Sequence, residues 1–371
     1  MKYRLEDMCS FRKEKVAVSS LTLKNYISTE NMLSNKAGIT KATSLPKCNT
    51  TQRFECGDVL VSNIRPYFKK IWKAKFNGGC SNDVLVFSAK EGFDTEFLYY
   101  VLSDDSFFGY SMATSKGTKM PRGDKKSIMN YEVPCFNMNI QLKIASILKS
   151  IDDKIELNNK INNNLEQQAQ AVFKSWFIDF EPFNNRKPSD WSVSTLGNVS
   201  IMGAGGDKPQ NVFPIKTDLY EYPIYSNGLS NEGLYGFTDK PKISEESVTV
   251  SARGTIGFVC LRHIPYVPIV RLVTLIPKAE IISAKYLYLW LKQLHITGTG
   301  TTQQQLTVPD FQKTEILVPS QEIVTLFTTT VEPIFEKIWA NQNENEKLSS
   351  LRDTLLPKLM SGELDVSDIE L

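Results

Sequence analysis

The run Ser115-Lys116-Gly117-Thr118-Lys119-Met120-Pro121-Arg122-Gly123-Asp124 sets three cations among small, flexible residues. Glycine allows a backbone to approach a ligand closely. Lysine and arginine neutralise phosphate, and arginine can also grip guanine through two hydrogen bonds. The chemistry on offer is polyanion binding, with Lys116, Thr118, Lys119 and Arg122 as contacts; the bland alternative is a solvated basic loop. A second segment, Thr301-Thr302-Gln303-Gln304-Gln305, is neutral but rich in amides and hydroxyls. Glutamine can pair with adenine in the major groove, so Gln303, Gln304 and Gln305 are candidates against the plainer role of capping a helix. Arg65, Lys69 and Lys70 in NIRPYFKK and Arg253 in SARG each follow a β-like run. They are read equally as phosphate contacts and as surface charge. Tyr225 and Asn227 lie in the turn-like YSNG, where polar groups reach outward.

Groupings that would break or make bonds are not found. No Asn/Asp-Pro-Pro-aromatic run for amino-group methylation and no phosphate-binding loop occurs. Pro309-Asp310 with Glu315 lacks the lysine a nuclease motif needs, and neither His263 nor His295 has the company of a triad. Gly298-x-Gly300 is a lone glycine pair and a weak cofactor signal. Six cysteines are scattered without a CxxC pair, which argues for free buried thiols in a reducing compartment and against zinc. The start, MKYRLEDMCSF, shows no cleavage signal. No stretch reaches the roughly 18 apolar residues of a membrane span. The expected location is the cytoplasm, with no membrane partner.

The elements that must position these residues come in duplicate. A seam alternating by four and three runs Ile144, Leu148, Ile151, Ile155, Asn158, Asn162, Leu165, Ala169, Val172, Trp176. It recurs without a slip as Phe327, Val331, Ile334, Ile338, Asn341, Asn345, Leu348, Arg352, Leu355, Leu359. Such spacing predicts two long helices of about 60 Å, packed as an antiparallel coiled coil. Asparagines at both centres would face each other and fix the register; the alternative is that they face water. Pro333 predicts a kink, or a helix that ends near Thr330 and restarts. Acidic residues such as Asp152, Asp153 and Glu156 are expected to point away from a polyanion, either solvated or docking a partner.

The globular blocks repeat more loosely. DVLVSNIRPYFKK (58–70) resembles SVTVSARGTIGFV (247–259), and EFLYYVLSDD (96–105) resembles KYLYLWLKQL (285–294). The 115–124 loop resembles 297–310, YEVPC resembles EILVPS, and YRLEDM resembles WSVSTLGNV. The first pair reads as strands and the second as short amphipathic helices. Trp72, Trp191 and Trp290 read as core rather than as stacking platforms for bases. The fold class is α+β. Two mixed domains, 1–136 and 184–318, alternate with helical segments 137–183 and 319–371 in a pseudo-twofold internal repeat. Net charge by block is +7 for 1–134, −1 for 135–183, +2 for 184–318 and −6 for 319–371. Positive charge thus sits on the globular blocks, as a polyanion partner requires, and weakly on the second. Two related domains on a long spacer suit a split DNA target, since equivalent groove faces recur every 34–36 Å, about one helical turn.

The run NIQLKIASILKSIDDKIELNNKINNNLEQQAQAVFKSWFIDF (139–180) and the end LRDTLLPKLMSGELDV (351–366) resemble the helical regions of type I restriction–modification specificity subunits. Both halves also resemble that family in closing with a Gly-rich loop and a strand ending in Val-Pro. One departure is the order Val318, Pro319, Ser320, Gln321, Glu322, where the family pattern opens Pro-Pro-hydrophobic-x-Glu-Gln; the Gln/Glu character survives. The resemblance implies two recognition domains for double-stranded DNA, reading an asymmetric bipartite site. It implies helices that set the spacing and dock two modification (methyltransferase) subunits, with restriction/translocase subunits joining. It also implies no catalysis and no cofactor on this chain, with S-adenosylmethionine, ATP and Mg on the partners. The rival readings are a coiled-coil adaptor bridging proteins, and a standalone nuclease or methyltransferase with degenerate motifs.

Overall fold

A computed structural model describes residues 2–298 and 304–369. The chain forms two compact units. The first comprises Met1–Asn159 with Gln342–Leu371, and the second Lys160–Asn341. Each unit therefore takes half of each long helix, a division that cuts across the helical segments marked out by sequence.

In the first unit an antiparallel sheet has the order Cys9–Phe11, Val84–Ala89, Val59–Ser62, Ile71–Lys73. The two central strands are almost wholly apolar, which fits burial on both faces. The helix Thr95–Ser103 starts where the Asp94 side chain accepts the Phe97 N–H, an ordinary N-cap. Phe97, Leu98, Val101 and Leu102 of this helix are buried with Val59, Val61 and Leu85 of the sheet. The opening strand Lys2–Arg4 pairs with Glu132–Pro134, which closes the domain.

The second unit repeats this frame. Its sheet runs Ser200–Ala204, Val273–Pro277, Ser247–Val250, Val259–Arg262, again antiparallel. Its helix Ala284–Gln293 is capped by Ser283, which accepts the Tyr286 N–H. Ser192–Thr195 pairs with Glu315–Val318 as the closing ribbon. The resemblances between halves are thus equivalences of strand order. The halves differ elsewhere. The first has a second sheet of four strands, Lys15–Ala17, Thr50–Phe54, Gly78–Cys80 and Tyr26–Ile27, against three in the second, Leu234–Thr238, Tyr222–Tyr225 and Val267–Pro268. The helix Asp105–Ala113 has no counterpart among the described residues of the second unit.

The long helices are Met138–Phe177 and Gln321–Ser361. Asn137 Oδ1 accepts the Ile140 N–H at the start of one, and Gly362, at φ 78°, ends the other in the left-handed conformation glycine favours. Within the first unit Asp152 meets Arg352 (2.8 Å) and Asn158 meets Asn345 (2.9 Å). Within the second, Asn341 meets Asn162 (2.7 Å), and the Phe173 and Phe177 rings pack on Phe327. Partners ascend on one helix as they descend on the other, so the helices run antiparallel in both units. The break expected near Thr330 does not form; one helix passes through exposed Pro333. Phe327, Val331, Phe335 and Ile338 around it are buried. At roughly 1.5–3 kcal/mol each, their burial outweighs the ~3 kcal/mol that an internal proline costs.

Candidate nucleic-acid interface

In the first unit the loop after the helices is stapled to the end of strand Val59–Ser62. Lys116 and Arg122 exchange backbone hydrogen bonds (2.8 and 3.0 Å), the Arg65 N–H donates to Pro121 O (2.8 Å), and the Gly123 N–H donates to Asn63 O (3.2 Å). A Cβ on Gly123 would lie 2.7 Å from Ile128 and 2.8 Å from Asn63 Oδ1, so a larger residue at this crossing would have to displace those side chains. Asp124 accepts the N–H groups of Lys126 and Ser127 and starts the helix Lys125–Met129. The Lys116 ammonium beside it, with those backbone donors, holds its carboxyl well below the usual carboxylate range.

The structure therefore sorts the sequence candidates of this unit. Thr118 and Lys119 stand exposed at the loop tip and make no hydrogen bond or ion pair among the described residues. Arg122 is exposed and pairs with Asp83 (3.1 Å), and Lys116 pairs with Asp124. Lys69 shares Asp105 with Lys36 (2.7 and 2.8 Å). The Lys70 ammonium donates to Thr29 O (2.6 Å), and burial lowers its pKa. Arg65 takes a left-handed backbone (φ 51°), and its buried Nε has no partner. The loop cations and Arg65 are brought together; Lys69 and Lys70 are spent on their own unit.

The second unit builds its equivalent from different residues. Arg253 donates to Gln305 Oε1 (3.0 Å), and the Leu306 N–H donates to Ala252 O (3.0 Å). Asn227 Oδ1 accepts the Ala252 N–H (2.7 Å), and its amide donates to Val270 O (2.7 Å). Asn227 thus ties two loops together. The Tyr225 ring lies 3.6 Å under the Arg262 guanidinium, which in turn bonds Thr249 and Glu232. Gln304 is exposed; Gln303 lies outside the described residues. Arg253 also lines a cleft of about 420 Å³ with Asp207, Lys208, Tyr235, Val270 and Arg271.

Lys208 and Arg271 were missed by sequence reasoning. Arg271 hides inside the apolar run IVRLVTLI, which reads as one strand; a charged residue in an otherwise buried run was the available signal. The strand in fact begins at Val273, and Arg271 belongs to the preceding tip.

The seam positions Ile144, Leu148, Ile151, Ile155, Leu165, Ile334, Ile338, Leu348 and Leu355 are all buried or partly buried. Asn158 and Asn341 are 1% exposed. Their side chains donate to Asn345 and Asn162, which stand at matching places in the repeat. The acidic residues of the first long helix have local uses: Asp152 accepts from Tyr100 and Arg352, Asp153 pairs with Lys149, and Glu156 pairs with Lys75. Trp72 and Trp191 are buried, and Trp290 packs on the second core. The cysteines are free; Cys9, Cys80 and Cys260 are buried, whereas Cys48 and Cys56 are exposed. Burial pushes the three buried thiols up to about 12, so they are inert at neutral pH. No helix among the described residues is long and apolar enough to cross a membrane.

Residues 1–167 and 188–349 each match the family model described as the type I restriction modification DNA specificity domain. The chain belongs to this family. It carries the domain twice, as its repeated frame requires. It is 28% identical over 318 residues to the MjaIX specificity subunit of Methanocaldococcus jannaschii, covering 76% of this chain and 71% of that one. It is 27% identical to the HindI specificity subunit of Haemophilus influenzae, covering 91% and 94%. The solved S subunit from M. genitalium shares the fold, with a TM-score of 0.57 over 99% of this chain and 96% of that one, at 19% identity.

Proposed function

We propose that this chain is the non-catalytic DNA specificity subunit of a type I restriction–modification enzyme. Each unit reads one half of an asymmetric bipartite site on double-stranded DNA. The long helices set the distance between half-sites and dock two modification subunits. S-adenosylmethionine, ATP and Mg act on the partner subunits, restriction/translocase subunits complete the enzyme, and the work is done in the cytoplasm.

The observation that carries this reading is one frame built twice with different side chains at one sheet end. At the end of Val59–Ser62 the Gly123 N–H donates to Asn63 O, and at the end of Ser247–Val250 the Leu306 N–H donates to Ala252 O, at the same place in the repeat. The groups presented around these bonds do not match: Lys119, Arg122 and Asp83 in one, Arg253, Gln305 and Arg271 in the other. Two copies of a scaffold with unlike tips suit a target whose halves differ. Exposed cations there neutralise phosphate, while forked and amide side chains can read base edges.

The test is methylation-aware sequencing of the source genome with and without the gene. Loss of adenine methylation at one split, asymmetric motif is the expected result and names both half-sites. An unchanged pattern with the modification gene expressed would refute the proposal and bring the adaptor reading forward.

A further inference from the structure

The Val270–Arg271 tip of the second unit is strained and held. Both residues adopt left-handed backbones, at φ 52° and 64°, a conformation costly for side chains and most of all for β-branched valine. Five contacts keep it there. The N–H groups of Val270 and Arg271 donate to Gly206 O and Gly205 O (2.9 Å each), Val270 O accepts from Asn227 (2.7 Å), Ile269 N donates to Tyr225 O (2.9 Å), and Leu272 N donates to Ile269 O (3.1 Å). A Cβ on Gly205 would sit 2.7 Å from the Ile269 backbone, so the crossing is as close as a backbone permits. The product is Arg271 standing exposed at the cleft, without an ion pair or side-chain hydrogen bond among the described residues. Lys208 and Arg253 line the same cleft, but so does Asp207, which pairs with none of them among the described residues. A carboxylate in the cleft opposes a phosphate and tolerates a base edge.

Sheet register gives the matching place in the first unit. Leu85 pairs with Val61, and Val273 pairs with Val250, at the same position of the repeat. Two residues upstream lie Asp83 and Arg271. The charge at this tip is inverted between halves, as expected of a residue that differs because its target differs.

We propose that Arg271 is a specificity-determining residue of the second half-site, reading a guanine through O6 and N7 with its guanidinium fork. This rests on the proposed function. Full-length chain, wild type or variant, is mixed with a pool of DNA duplexes randomised over the site, and the bound fraction is sequenced. Arg271→Ala should cut preference for guanine at one position of one half-site by roughly tenfold or more, leaving the other half-site unchanged, and Arg271→Lys, which lacks the planar fork, should cut it less. The lysine variant keeps the charge, so its overall binding should stay near wild type. Arg271→Gly guards against misfolding, because glycine relaxes the left-handed backbone. It should unfold at a higher temperature than wild type yet lose the same guanine preference. Guanine preference that survives in the alanine and glycine variants, or binding that weakens equally on all sequences, overturns the assignment while leaving the proposed function standing. A wild-type chain that selects no motif overturns both.

Discussion

The tips of the two units are the most instructive pair in the molecule. In the first, Asp83 stands at the tip and holds Arg122 across 3.1 Å. In the second, Arg271 stands there instead, while the neighbouring Arg253 is held by the neutral Gln305. The frames beneath are alike: the same sheet order, a capped helix on the sheet, a closing ribbon. The difference teaches that the scaffold is fixed by apolar pattern and backbone pairing, which leave the charge at the tip free to differ. The second tip is held at a cost, in the left-handed backbone of Val270 and Arg271.

The largest expected effect separates the units as folds. Phe173 is fully buried in the second core, against Phe177, Tyr286 and Phe327. Phe173→Ala should cost about 3–5 kcal/mol, seen by hydrogen exchange as lost protection in residues 160–341. Protection of the Val59–Ser62 sheet should stay; equal loss in both would mean the units do not fold separately.

Asn227 comes next, because its amide satisfies a backbone donor and acceptor. Asn227→Leu should cost about 1–3 kcal/mol in unfolding by denaturant and should blur only the second half-site in selected duplexes. A stability unchanged within error would show that the two loops do not depend on it.

Asp83→Arg makes the first tip carry the charge of the second. It should shift preference at one position of the first half-site by roughly tenfold, read in the same duplex selection, with the second half-site untouched. If both half-sites move together, the tips are not independent readers.

Lys119→Ala should weaken binding on all sequences alike and reduce the slope of log affinity against log salt by about one. A change in the selected motif instead would make Lys119 a base reader.

The smallest effect is acid sensitivity confined to one half. His263 lies flat on Trp339 (4.1 Å) with its other side exposed; partial loss of water there, with Lys285 and Arg262 nearby, pushes its pKa down to about 4. The unfolded chain, with an ordinary histidine near 6.5, binds the proton first as pH falls. The second unit should therefore lose stability between about pH 6.5 and 4, while His263→Phe removes that loss. Both histidines lie in the second unit, so the first should show no such histidine component in melts resolved by unit.

The long helices show how far a linear pattern reaches. The four-three seam, read as sequence, determined both helices and the symmetry relating them, because a repeating apolar stripe has few ways to be buried. It also carried the paired asparagines. What it left open is the choice at Pro333 between a kinked helix and a broken one, since the penalty of one proline is visible locally while the burial of Phe327 and Phe335 is not. Similarly, the basic 115–124 loop was legible as a cluster of like charges in one stretch. Lys69 and Lys70 looked equivalent to Lys119 in sequence; only the fold shows Asp105 and Thr29 waiting for them.

By itself, then, the sequence determined the two-copy plan, the long helices and the family, because these rest on periodicity and local motif. The tertiary structure alone decided which cations stay available and which charge stands at each tip. Asp83 and Arg271 lie 188 positions apart in the chain. They become comparable only through strand register, and the strain that presents Arg271 comes from Gly205, Asn227 and Ile269, residues that no local pattern brings together.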